Sequence, residues 1–274
     1  MTKLQQAQFQ LLVEFDRICK LLDVNYFLVC GSALGAVKYS GIIPWDDDID
    51  VGIYRPDYEK FIEKAPALLP ENLFLQNWKT EPAFPQVFSK LRNSNTTFIE
   101  SSASELPINH GIYIDIFPLD GYPTKRIEQL HLELFKRFYS SILLSCFSIP
   151  RSGLSSVLCY LYHCIGLQKH PARIAKKYEA LISRYPIYDS DLICNHGNWQ
   201  GKLEYAPRQQ YGHGTEAIFE GLHVCIPEQY EKYLTQKYGD YTKEPPEQEQ
   251  VGHHYCVICD VDRPYTDYKV QRSF

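Results

Sequence analysis

The chain has 274 residues, 45% of them apolar, and a net charge of −5. That length accommodates one large domain, or a catalytic part with a smaller helical companion, with a core large enough to fold unaided. It holds no dense Lys/Arg run, which argues against nucleic acid as a partner and leaves a small anionic substrate held by a few local cations.

Met1 to Phe15 is polar and helical in period, with Leu4, Leu11, Leu12 and Phe15 on one side and Gln5, Gln6, Gln8 and Gln10 elsewhere. It lacks the apolar core of a secretion signal, so a cytoplasmic location is expected. The nine cysteines are scattered apart from Cys256 and Cys259, a pattern of buried apolar fillers and not of a disulfide framework.

Residues 4–23 read as an amphipathic helix and Tyr26 to Cys30 as a short buried strand ended by Gly31-Ser32. Ala33 to Tyr39 follows as a helical piece, Ile49 to Tyr54 alternates like a strand, and Arg55-Pro56-Asp57 opens a helix to about Leu69. Strand-like pieces come next at 74–76, 87–91 and 96–99, then Ile112 to Phe117 before an expected turn at Pro118-Leu119-Asp120-Gly121. From Lys125 to about Tyr185 the pattern is helical, with apolar stretches at 138–149 and 154–167, both shorter than the ~18 residues of a membrane span. The economical reading of these stretches is a hydrophobic helical hairpin packed on the catalytic part; the competing one is peripheral membrane contact. A last helix is expected at about 228–238.

The segment Pro44-Trp45-Asp46-Asp47-Asp48-Ile49-Asp50 concentrates four acids. Residues two apart on a strand share a face, so Asp48 and Asp50 are expected to present a pair of carboxylates that repel unless a cation sits between them. Oxygen-only ligands suit Mg²⁺ or Mn²⁺, with substrate phosphates completing the shell. Asp46 and Asp47 read as turn residues. Asp115, between Ile114 and Ile116, is a third acid that an apolar strand carries only at a cost. Gly31 and Ser32, opening a helix, offer backbone N–H groups to a phosphate. Lys90 and Arg92, two apart on a strand, offer cations on one face, or else form a solvated edge strand. His110 and the pair His253-His254 are candidate orienting groups. Cys256-Val257-Ile258-Cys259 has the spacing of half a zinc site, with Cys194 and His196 as remote partners; no second pair of this kind exists, which favours unpaired cysteines.

Gly-Ser, a helix, an acidic pair spaced by one residue and a later single acid together resemble the nucleotidyltransferase fold of polymerase-β-like enzymes. More closely, Gly31 to Lys38, Gly41 to Gly52 and Asp57 to Phe61 resemble the LicD family, the bacterial phosphocholine transferases related to fukutin-type proteins. The likeness continues through Lys90-Leu91-Arg92, His110 to Gly121, Phe219-Glu220-Gly221 and Tyr238 to Tyr241, while about 125–200 resembles nothing beyond being helical. The resemblance implies an α+β, nucleotidyltransferase-like mixed sheet flanked by helices, with a helical middle segment. The expected division is a catalytic core at 1–122, a helical segment at 123–190, and a part packing back on the core at 191–274.

It further implies transfer of phosphocholine or a similar phospho-alcohol from CDP-choline, or a related CDP-alcohol, to a sugar hydroxyl of a cell-surface glycan. The acceptor would be of lipopolysaccharide or teichoic-acid type, lipid-linked in one version, and CMP the other product, formed at the inner face of the membrane. Asp48, Asp50 and Asp115 would hold the metal, with Asp115 as ligand or base. Gly31, Ser32, Lys38, Lys90, Arg92 and His110 would contact substrate. Two alternatives stay open: a nucleotidyltransferase placing a nucleoside monophosphate on a small molecule, and a non-catalytic nucleotide-binding scaffold.

Overall fold

The computed structural model describes residues 1–198, 201–252 and 254–268, and shows an α+β architecture: a mixed sheet with eight α-helices among the described residues. In chain order these are α1 (Lys3–Leu22), β1 (Phe27–Leu28), α2 (Cys30–Tyr39), β2 (Asp50–Tyr54), α3 (Arg55–Lys64), β3 (Leu73–Gln76), β4 (Ser89–Asn93), β5 (Thr97–Glu100) and β6 (Ile112–Tyr122). A helical excursion follows, α4 (Arg126–Leu144), α5 (Leu154–Cys164) and α6 (Pro171–Ile182). The chain then returns with β7 (Leu192–Asn195), β8 (Tyr205–Pro207), α7 (Arg208–Tyr211), β9 (Thr215–Phe219), β10 (Leu222–Ile226), α8 (Tyr230–Tyr238) and β11 (Cys256–Asp260).

The main sheet runs β1-β2-β6-β4-β3, and β7 joins the far half of β6 and carries β8. β2 and β6 are parallel, while β4 is antiparallel to β6. Strand alternation gives this sheet two unlike faces. Val51, Ile53, Leu91, Ile114 and Ile116 are almost wholly buried on the face that meets α1 and α3. Asp50, Lys90, Arg92, Tyr113 and Asp115 stand on the other.

The Pro118-Leu119-Asp120-Gly121 segment is not a turn. β6 runs straight through it, pairing with β2 up to Leu119 and with β7 from Leu119 to Tyr122. The turn-forming composition is overridden by tertiary pairing and by a bidentate ion pair, in which Arg55 Nε and Nη2 donate to the two oxygens of Asp120 at 2.6 and 2.7 Å. β4 is likewise no edge strand, since β3 covers its outer side.

α1 is set by a capping box between Thr2 and Gln5 and ends on Asp23 in the left-handed region. Its glutamines are not all solvent-facing as the polar pattern suggested: Gln5 and Gln8 are buried. Of the cysteines, Cys19, Cys30 and Cys194 are the buried fillers expected, whereas Cys164 and Cys259 are exposed; all nine are free thiols. Within 138–167 the apolar residues only partly pack. Ile142, Leu143 and Tyr162 join a cluster with Ala175 and Tyr178, while others stay exposed. Among the described residues no helix is long and apolar enough to cross a membrane.

Candidate active site

Asp50 of β2 lies opposite Asp115 of β6, and Asp115 lies opposite Lys90 of β4, so three charged side chains form a row across the polar face of the sheet. Lys90 Nζ is 2.9 Å from Asp115 Oδ1 and 3.9 Å from Glu100 Oε2, and it lies over the Tyr113 ring at 3.3 Å from the centroid. The row is buried.

β2 begins at Asp50, so Asp48 precedes the strand instead of lying in it. The extended backbone reaches one residue further back, because Asp115 N–H donates to the Ile49 carbonyl at 2.9 Å. What holds the segment before it is α1. Gln5 Nε2 donates to the carbonyls of Ile43, Pro44 and Asp46, and Gln8 Nε2 to that of Asp47 at 2.6 Å. The β9–β10 hairpin clamps its other end: Glu220 Oε1 accepts from Ile42 N–H at 3.0 Å, and Glu220 N–H donates to Ser40.

α2 starts at Cys30, three residues before the expected Ala33, which puts Gly31 and Ser32 in the first turn, where a helix has no internal acceptors for its N–H groups. Ser32 Oγ accepts from the Asp50 N–H at 2.8 Å, fixing the start of β2. A Cβ on Gly31 would come within 2.6 Å of Asp46 Oδ2, so glycine is what allows that carboxylate against the helix.

Asp46 therefore belongs with the acids. Oxygens of Asp46, Asp47 and Asp48 lie within 4.8 Å of one another, the one cluster of metal-ligating groups of this kind among the described residues. Burial, then repulsion from Asp47, pushes Asp46 up to about 6. Burial and Asp46 push Asp48 up to about 8, and burial, Asp48 and Asp115 push Asp50 well above the carboxylate range. Asp47 is turned to His254, whose Nδ1 lies 3.1 Å from Asp47 Oδ1 and 3.7 Å from Asp48 Oδ2. Burial opposes the His254 charge, but Asp47 and Asp48 outweigh it and raise the ring to about 9. The oxygens brought within ligating reach of one another are those of Asp46, Asp47 and Asp48, donors of the kind that suit a hard divalent cation, whereas Asp50 and Asp115, expected to complete the set with Asp48, stand on the adjoining strands outside that cluster.

The remaining expected residues divide. Arg92 is buried and spent on Gln76 Oε1 at 2.5 Å and the Gly111 carbonyl at 2.7 Å. Lys38, in the last turn of α2, pairs with Glu244 at 3.0 Å. His110 bonds the Leu106 carbonyl through Nε2 at 3.0 Å and packs on Tyr265. His253 lies outside the described residues. Cys256 and Cys259 sit on β11 against β5, whereas Cys194 is in β7, and no described ligand group joins them.

Sequence reasoning missed Gln5, Gln8, Glu220 and the Lys237–Glu204 pair. Lys237 of α8 is buried with its Nζ 2.6 Å from Glu204 and 3.7 Å from Cys30 Sγ. Burial lowers its affinity for a proton, but Cys30, Glu204 and Asp50 outweigh that and raise it. A cavity of about 130 Å³ adjoins the row, floored by Lys90 and Arg92 and walled by Glu100, Phe84 and Phe147. Burial works against the Glu100 charge, yet Lys90 and Arg92 hold that carboxyl below its ordinary range.

Residues 23–154 match the family model described as LicD/FKTN/FKRP, nucleotidyltransferase domain. The chain carries a LicD-family domain. It is 28% identical, over 252 positions spanning 88% of this chain and 90% of the relative, to the lipopolysaccharide cholinephosphotransferase LicD of Haemophilus influenzae. It is also 56% identical over 40 residues, 15% of this chain and 8% of the relative, to the ribitol 5-phosphate transferase FKRP of Homo sapiens and of Mus musculus. The LicD-family match contains all the acids of the site together with Gly31, Ser32 and Lys90, and ends at the first residue of α5. Gln5, Gln8, Glu220, Lys237 and His254, which hold or face the acids, lie outside it.

Proposed function

We propose that the chain is a metal-dependent transferase that moves phosphocholine, or a related phospho-alcohol, from a CDP-linked donor to a sugar hydroxyl of a surface glycan, releasing CMP, on a nucleotidyltransferase-like core. The observation that carries this reading is the buried row Asp50–Asp115–Lys90 beside Asp46 and Asp48. The near full-length likeness to a lipopolysaccharide cholinephosphotransferase supports the choice of donor and acceptor.

Asp46, Asp48, Asp50 and Asp115 would hold Mg²⁺ or Mn²⁺. When bound, such an ion supplies positive charge against the donor diphosphate. The first-turn amides of α2 at Gly31 and Ser32 face the same loop and suit a phosphate oxygen. Asp115 takes the proton of the attacking hydroxyl at a carboxylate oxygen, or else joins the ligand set. Lys90 holds Asp115 in place and offers the leaving nucleotide phosphate a cation. In-line displacement at phosphorus needs mainly such positioning and neutralisation.

The alcohol would sit in the cavity beside Lys90. Phe84 and Phe147 offer aromatic faces to a quaternary ammonium, and Glu100 offers a carboxylate that balances the Lys90 and Arg92 cations of the same lining.

The test is CMP release from CDP-choline with Mg²⁺, comparing the native chain with Asp48→Asn and Asp50→Asn. Each variant is expected to lose about 100-fold or more; turnover near the native rate in either sinks the reading. Nucleoside triphosphates supplied in parallel test the second reading, which the family model's own description favours: the half of the donor found on the acceptor decides between them.

A further inference from the structure

The helical excursion between β6 and β7 differs from the rest of the molecule in charge and in surface. Residues 123–184 hold ten Lys and Arg against three Glu, a net +7, whereas the remaining residues hold eighteen against thirty Asp and Glu, a net −12. Eight of the ten cations are exposed, Arg137, Lys176 and Lys177 among them.

On α4, Ile127, Leu130, Leu134 and Phe138 are exposed at 72, 60, 66 and 46%. On α5 and its cap, Leu154, Val157, Leu161 and Ile165 are exposed at 74, 54, 48 and 67%. Both sets follow the spacing three, four, four, which lines each up as one stripe along its helix. Neither stripe is needed to hold the helices. Their opposite sides are already packed, through Leu132, Leu143 and Tyr162, on Tyr178 of α6, and Ser141 Oγ lies 2.9 Å from Tyr162 Oη between α4 and α5.

Two apolar stripes, each running the length of a helix, exceed the scattered apolar exposure of a soluble surface and mark an interaction site. A second copy set on the same face would bring two segments of net +7 together. Exposed apolar stripes on a segment whose net charge is strongly positive are the pattern of helices that lie in the lipid headgroup layer. We propose that the α4–α5 face docks on an anionic lipid bilayer, with the stripes entering the headgroup boundary and the exposed cations of the same segment meeting lipid phosphates. This surface does not depend on the transferase reading.

The test is co-sedimentation of the full chain with vesicles of phosphatidylglycerol and phosphatidylethanolamine, and with vesicles of phosphatidylcholine alone. Binding to the anionic vesicles is expected to exceed the other by about tenfold and to fall with salt. Leu134→Glu combined with Leu161→Glu should abolish it with an unchanged circular dichroism spectrum, and Lys176→Glu with Lys177→Glu should weaken it. A native chain that stays in the supernatant overturns the proposal, as does a Leu134/Leu161 variant that binds equally well. So does a chain that ignores vesicles and dimerises through the stripes in light scattering. CMP release from a water-soluble donor is expected to be equal in all these variants, so a failed docking and a failed transferase reading give different results.

Discussion

Lys90 of β4 and Asp115 of β6 face each other across an antiparallel pair with 2.9 Å between Nζ and Oδ1, while Asp50 faces the same acid from the parallel strand on its other side. The cation is thus built into the acid row and shares its burial. Lys90→Met removes the charge and leaves buried acids without it. We expect a loss of about 3 to 5 kcal/mol of stability and at least about 100-fold of turnover, read by denaturant unfolding and CMP release. Full activity in a folded Lys90→Met would remove Lys90 from the site.

Repulsion among the acids should be visible in stability as well as in catalysis. Burial and its acidic neighbours disfavour the charged form of Asp50, so Asp50→Asn relieves a cost that function imposes. Without divalent ions the variant should unfold at higher denaturant, by about 1 kcal/mol. With Mg²⁺ the native chain should gain stability in proportion to ion binding and the variant much less. A native chain whose melting temperature ignores Mg²⁺ and Mn²⁺ would count against a metal at these acids.

Much of this arrangement was readable in the chain. The alternation around Asp115 placed it on a buried strand, and Asp50, Ser32 and Lys90 do adjoin it or one another. Local pattern failed where a distant partner decides the outcome. Pro118 to Gly121 reads as a turn but is strand, because β7 and Arg55 claim it from far along the sequence. Gln5 and Gln8 read as a solvated helix face, but their amides end on carbonyls about forty residues away, a contact no periodicity encodes. Asp46 is the turn residue expected, its N–H donating to the Ile43 carbonyl, but nothing in the sequence says that its carboxylate also packs against Gly31.

Those glutamines make a prediction of their own. Gln5 alone donates to three carbonyls of the acidic segment, and buried carbonyls left unpaired cost about 1 to 3 kcal/mol. Gln5→Ala should therefore lower stability by that amount and raise the Mg²⁺ concentration needed for half-maximal activity, with less effect on the rate at saturating metal. Gln5→Glu cannot donate in the same way and should behave like the alanine variant. Unaltered metal dependence in both would reduce Gln5 to a folding residue.

The Arg55–Asp120 pair gives a purely structural control. It is bidentate and almost fully buried, with side-chain exposure of 8 and 0%, and Arg55 also reaches Glu179 of α6 at 3.4 Å. Asp120→Ala should cost about 3 to 5 kcal/mol, since it strands most of a buried guanidinium. Any active fraction should keep the native affinity for donor, measured by titration, because Asp120 stands on the sheet face away from the acid row.

The cavity beside Lys90 turns the choice of alcohol into a measurement. Phe147 and Leu144 reach it from the helical excursion, Glu100 from β5, and Phe84 from the segment after β3. If the trimethylammonium group of choline sits there, Phe147→Ala and Glu100→Gln should each raise KM for CDP-choline by about tenfold or more, with a smaller change in kcat. The same variants should change KM for CDP-glycerol or CDP-ribitol much less, because a polyol gains little from an aromatic face or a single carboxylate. A screen of the four donors, CDP-ethanolamine included, separates the outcomes. Equal losses on every donor would place the cavity residues in scaffolding, since only a seat for the cation penalises choline selectively.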